Sequence, residues 1–145
     1  MSDSIAIADA VVASLAGGEF SRPFTPKRAY LPEFGLQELE GLHVTAIPRS
    51  LPQEQRLDRS GVVHTHEVDV AVQQRVSLSK PAEIDALMDL LEAIHDHLRD
   101  QAVTFGEDGR AEYTGATREP LYSAAHLREF QCFTGVITIS YEVTR

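Results

Sequence analysis

The chain has 145 residues, enough for one domain (1–145) that buries a core without help from disulfides or metals. Its formal charge of -9, from 13 basic and 22 acidic residues, argues against a domain whose task is to grip nucleic acid, because neutralising phosphates needs clustered Lys and Arg. The single cysteine, Cys132, excludes an internal disulfide framework, and no apolar run is long enough to span a bilayer, so a soluble protein with no membrane partner is expected.

Asp3 or Ser4 caps a predicted first helix in which Ile5, Ala8, Val12 and Leu15 recur at helical spacing, and Gly17-Gly18 stop it. This stretch contains Asp9 and lacks a positive leading segment, which speaks against a signal peptide. From Phe20 to Leu31 the chain reads as extended, but Pro23, Pro26 and Pro32 remove ladder donors and confine it to a sheet edge. A helical turn over Leu36 to Leu39, closed by Gly41, precedes a strand from Leu42 to Ile47 that is interrupted at Pro48. The following tip, 49–60, reads as a hairpin or ordered loop and carries Arg49, Arg56 and Arg59, a basic excess within an acidic protein.

Val68, Val70 and Val72 alternate with Glu67, Asp69, Ala71 and Gln73, the period of a strand with one buried face; the other face is expected to be wet or to meet a partner. Pro81 opens the most secure helix, with Ser79 or Lys80 at its cap and an apolar stripe of Ile84, Leu87, Met88, Leu91, Ile94 and Leu98. Residues 104–122 mix Gly, Pro and charges and read as a long interface-forming loop containing Arg110 and Arg118, followed by a short helix near Ser123 to Glu129. The last strand sets Phe133, Ile137, Ile139, Tyr141 and Val143 against Thr134, Thr138, Ser140 and Glu142 and looks central. These elements predict an α+β fold of two layers: a mostly antiparallel sheet of about four strands with helices packed on one face.

Little in the chain dictates a chemistry. His64 and His66, two apart on a strand, share a face as a metal site requires, but no third ligand or HExxH spacing accompanies them. The plainer reading makes them polar residues on an exposed or intersubunit face. His95 and His97, two apart on a helix, diverge by about 200°. Cys132 opens a strand and reads as a small buried hydrophobe rather than a nucleophile paired with His126. There is no GxSxG, Walker A, GxGxxG or CxxC pattern, so neither catalytic residues nor cofactors are expected. Asp85, Asp89, Glu92, Asp96 and Asp100 stack five carboxylates along one predicted helix face, which repels itself. It is a solvated face in one reading and a surface facing DNA without holding it in another.

The order of segments resembles the tail terminator, or tail completion, proteins of long-tailed bacteriophages and prophages. The resemblance is carried by an N-terminal helix, the aromatic edge FSRPFTPKRAYLPEF, the short strand LHVTAIPRS and the alternating strand HEVDVAVQQRV. The helix SLSKPAEIDALMDLLEAIHDHLRD and the final strand FQCFTGVITISYEVTR complete it. It implies a non-enzymatic virion protein at the tail-neck junction, assembled in the host cytoplasm. Such a protein forms a hexameric ring with copies of itself, ends growth of the tail tube protein, and offers a surface to a head-tail connector protein while DNA passes through. Arg49, Arg56, Arg59, Arg110 and Arg118 are then candidate partner contacts, and the acidic stripe a candidate lumen. Two alternatives remain: a stopper or adaptor protein of the neck, and a small metal-dependent enzyme using His64 and His66.

Overall fold

The two alternating segments become the two longest strands of a curled sheet, and everything else is placed by them. The computed structural model describes residues 3–30, 41–49, 53–57, 61–106, 109–118 and 122–144. Its elements in chain order are α1 (Asp3–Ala16), β1 (Lys27–Arg28), β2 (His43–Pro48), β3 (Gln53–Leu57), β4 (Gly61–Arg75), α2 (Pro81–Leu98), β5 (Val103–Phe105), β6 (Gly109–Thr117), α3 (Ala124–Phe130) and β7 (Cys132–Thr144). The expected turn at 36–39, and with it part of the proline-punctuated edge, lies outside the described residues.

The strand order is β1-β2-β4-β7-β6-β5, with β3 pairing separately with β4. β1 and β2 are parallel and all other pairs antiparallel, so the sheet is mixed and holds seven strands among the described residues rather than about four. β7 is central, as its alternation implies: it is paired with β4 along its length and with β6 on its other side. The extended segment does sit at the edge, where only Lys27 and Arg28 join the ladder.

The larger correction concerns 104–122, read as a loop: most of its described residues lie in β5 and β6, which pair antiparallel. Its strand signal is weak because two of the three inward positions, Ala111 and Ala116, are small beside Tyr113, and because a bulge between Tyr113 and Gly115 breaks the period of two. The tip 49–60 includes β3, paired back on β4 as a hairpin.

α1 and α2 pack on one face of the sheet. From α1 come Ile7, Ala8, Val11 and Leu15; from α2 Leu87, Leu90, Leu91, Ile94 and Leu98; from the sheet Val44, Ala46, Val68, Val70, Val72, Phe133, Ile137, Ile139 and Tyr141, all buried in one cluster. α1 touches both β2 and β5, strands far apart in the order, because the sheet curls around it. Pro81 occupies the first turn of α2; Lys80 is the cap but gives no side-chain bond, and Glu83 instead accepts from the Ser77 N–H (3.0 Å). α3 lies along the part of β7 that β6 does not reach, where the Ser123 N–H donates to the Thr134 carbonyl (2.8 Å) and Ser123 Oγ caps the helix by accepting from the His126 N–H.

Candidate interaction surface

The face of the sheet turned away from α1 and α2 mixes polar and apolar side chains. Alternation puts Asp69, Ala71 and Gln73 of β4, Thr134, Val136 and Thr138 of β7, and Thr45 and Ile47 of β2 on this side. It is not simply wet, as β4 alone suggests: Thr45, Ile47, Ala71 and Gln73 are all buried, and neither amide atom of Gln73 has a hydrogen-bond partner.

Part of this face forms a cleft of about 440 Å³ lined by Arg49, Asp69, Thr117, Tyr122, Ser123, Thr134, Val136 and Thr138. Strand register builds it, because Asp69 and Thr138 are directly paired across β4 and β7, and Thr138 is paired with Thr117 across β7 and β6. Thr138 Oγ1 donates to Asp69 Oδ1 (2.6 Å) and accepts from Arg49 Nη1 (3.2 Å). Arg49 Nε stands 3.7 Å from Asp69 Oδ2, and its Nη1 lies 3.6 Å from Glu67, an ion pair too long for hydrogen bonds. Burial raises the Asp69 carboxyl above its ordinary value against the lowering effects of Thr138 and Arg49. Tyr122 stands at the lip, 37% exposed, its ring 6.2 Å from that of Phe133.

The basic residues read at the tip 49–60 and in 104–122 lie on several elements. Arg49 follows β2 and turns toward the carboxylates of β4. Arg56 is on β3 opposite Val62, and Arg59 lies outside the described residues. Arg110 is exposed on β6 and bound to Glu112 (2.6 Å), while Arg118, just after β6, has a buried Nη1 without a hydrogen-bond partner. Asp85, Asp89, Glu92 and Asp96 are exposed on the outer side of α2, as their spacing requires, with Asp96 bound to Arg99 (2.9 Å). Asp100 is not part of the stripe's helix: it lies beyond the end of α2 in a left-handed conformation (φ 58°).

The histidines sit in separate local contacts. His64 and His66 share a face, with ring centroids 6.5 Å apart, but it is the helix-facing side rather than an exposed one. His66 is buried against α1, its Nδ1 3.0 Å from Ser4 Oγ. No group of three metal-ligating side chains occurs among the described residues. His95 and His97 diverge toward different neighbours, the first to Tyr113 Oη (3.2 Å) and the second donating from Nε2 to the Ser14 carbonyl (3.0 Å). Cys132 is fully buried and its thiol is pushed up by that burial; it and His126 both contact Thr134 Oγ1, at 3.8 and 2.9 Å.

The sequence reading picked out Arg49 but missed Asp69, Thr138, Ser123 and Tyr122. The available signal was the polar side of two strands read together, Asp69 between valines on β4 and Thr134, Thr138 and Ser140 on β7.

A scan of protein-family models finds no match, and no curated protein is similar in sequence. Solved structures do share the fold. One is a chain in the virion of a native gene transfer agent particle, 10% identical, with a TM-score of 0.50 over 98% of this chain and 94% of that one.

Proposed function

We propose that this chain is a structural protein of a phage-like virion, a ring-forming subunit of the tail terminator kind that closes the end of a tail tube and offers a docking surface to the neck. The observation that carries the proposal is the fold shared over nearly the full length of both chains with a component of a gene transfer agent virion. The order of segments described above supports the same reading independently. In this reading the protein acts through surfaces, with no reaction of its own.

Two features fit a ring around a DNA path. α2 presents Asp85, Asp89 and Glu92 to solvent with no ion pair among the described residues, a face that repels phosphate if it lines the lumen. The polar cleft on the opposite side of the sheet, with Arg49 at its wall, gives a subunit a second and chemically different surface, as contacts between successive copies in a ring require.

The test is the mass and shape of the purified protein, alone and mixed with a tail tube protein, by light scattering and negative-stain imaging. Closed rings of one fixed copy number, free or on tube ends, are expected. A chain that stays monomeric and ignores tubes overturns the proposal.

A further inference from the structure

The cleft on the outer face combines three groups that suit a guanidinium. Asp69 supplies a carboxylate whose Oδ1 is held by Thr138, while Oδ2 lies beyond hydrogen-bonding distance of Arg49. The hydroxyls of Thr117, Ser123, Thr134 and Thr138 line the same space; the last three already bond within the fold, each oxygen having a second lone pair to offer, and Tyr122 at the lip offers a ring face. Desolvation of the partly buried Asp69, with neighbouring Glu67, raises its carboxyl more than Thr138 and Arg49, whose own side chain is 53% exposed, lower it.

Resting on the ring reading above, we infer that this cleft is a socket for an arginine side chain presented by a second copy of the chain. A planar guanidinium can donate to the carboxylate and hydroxyls together while stacking on an aromatic ring. The chain carries unpaired cations to present: exposed Lys27, Arg75, Lys80 and Arg128 form no ion pair among the described residues, although acidic side chains outnumber basic ones 22 to 13. Two of them are arginines at one end of the molecule. Arg75 closes β4 and Arg128 lies in the last turn of α3, where the Val76 N–H donates to the Gln131 carbonyl (2.8 Å). Arg75 is six residues along β4 from Asp69, on the order of 20 Å at the rise of a strand. The cleft-lining Thr134 pairs with Gln73, two residues from Arg75, and Ser123 caps the helix carrying Arg128, but neither arginine lines the cleft, so socket and plug are adjoining and distinct patches. Repeating such a contact is heterologous, the kind that closes a ring when the rotation allows.

The experiment compares Asp69→Asn, and the pair Arg75→Gln with Arg128→Gln, with the wild-type full chain by light scattering over a concentration series, with a thermal melt of each. Asp69→Asn removes a charge that burial disfavours, so it is expected to melt no lower than wild type at pH 7, yet to need at least tenfold more protein to form rings. The arginine pair should show the same loss, and combining all three substitutions should add little, because one contact is being removed from either side. Rings of Asp69→Asn that form at wild-type concentration and join tube ends as wild type does overturn the socket while leaving the ring reading intact. Rings that form normally but no longer join tube ends assign the cation to another protein and overturn the second copy as its source. A wild-type chain monomeric with and without tubes overturns the ring reading and this contact with it.

Discussion

Gly135 lies directly beneath Leu91: a Cβ built on Gly135 stands 2.8 Å from Leu91 Cδ2 and 3.0 Å from Phe133 Cε1. The central strand thus approaches α2 at a point where only a hydrogen fits. Gly135→Ala is expected to destabilise the fold by about 1–3 kcal/mol, the range for overpacking a filled core. Leu91→Ala in the same chain should recover part of the added strain, so the double variant should be less destabilised than the sum of the two. Urea unfolding of the four proteins measures this, and strict additivity would refute the contact.

The layout of β4, α2 and β7 was legible because each buries one face and polar residues mark the other: Val68, Val70 and Val72 on a strand, Leu87, Leu91 and Ile94 on a helix. The β5–β6 pairing was not, since Ala111 and Ala116 give little hydrophobic contrast and the bulge before Gly115 shifts the period. Tertiary position also overrode pattern at Ala71 and Gln73, which alternate as a solvent face yet are buried. The cleft was illegible for a further reason. Asp69, Thr138 and Thr117 come together only through the register of three strands, and register is a property of pairing that no single strand encodes.

Burial of Cys132 has a chemical consequence. Its side chain is inaccessible and its thiol raised by desolvation, so the reactive thiolate is scarce and shielded. A thiol reagent such as Ellman's at pH 8 should label the native protein far more slowly than the same protein in denaturant. Rapid native labelling would contradict the packing of β7 against its neighbours.

His95 should make the fold sensitive to acid. Desolvation, then Arg99 and Arg118, lower its pKa below the ordinary histidine value, so over the window beneath about pH 6.5 the unfolded chain binds more protons than the folded one. Stability from this group is therefore complete above that window and is lost as pH falls through it. His95→Gln retains a group able to reach Tyr113 Oη but cannot charge. Relative to wild type, the variant's melting temperature should rise as pH is lowered from 7.5 to 5. An unchanged difference between the two proteins would show that His95 does not carry this linkage.

The exposed carboxylates of α2 allow stability and assembly to be separated. Asp85, Asp89 and Glu92 are neighbours on successive turns without a cation between them, an arrangement that costs a helix about 0.3 kcal/mol for each like-charge pair. Asp89→Lys replaces two repulsions by two attractions, so it should raise the melting temperature slightly, and by less in high salt because an exposed pair is screened. If this face lines a DNA path, the same substitution adds a cation where phosphate must slide, and assembled particles should release or take up DNA more slowly although the rings form normally. Particles that conduct DNA at the wild-type rate with Lys at position 89 would place the stripe on the outer wall, where its role is to keep an acidic protein dispersed in solution.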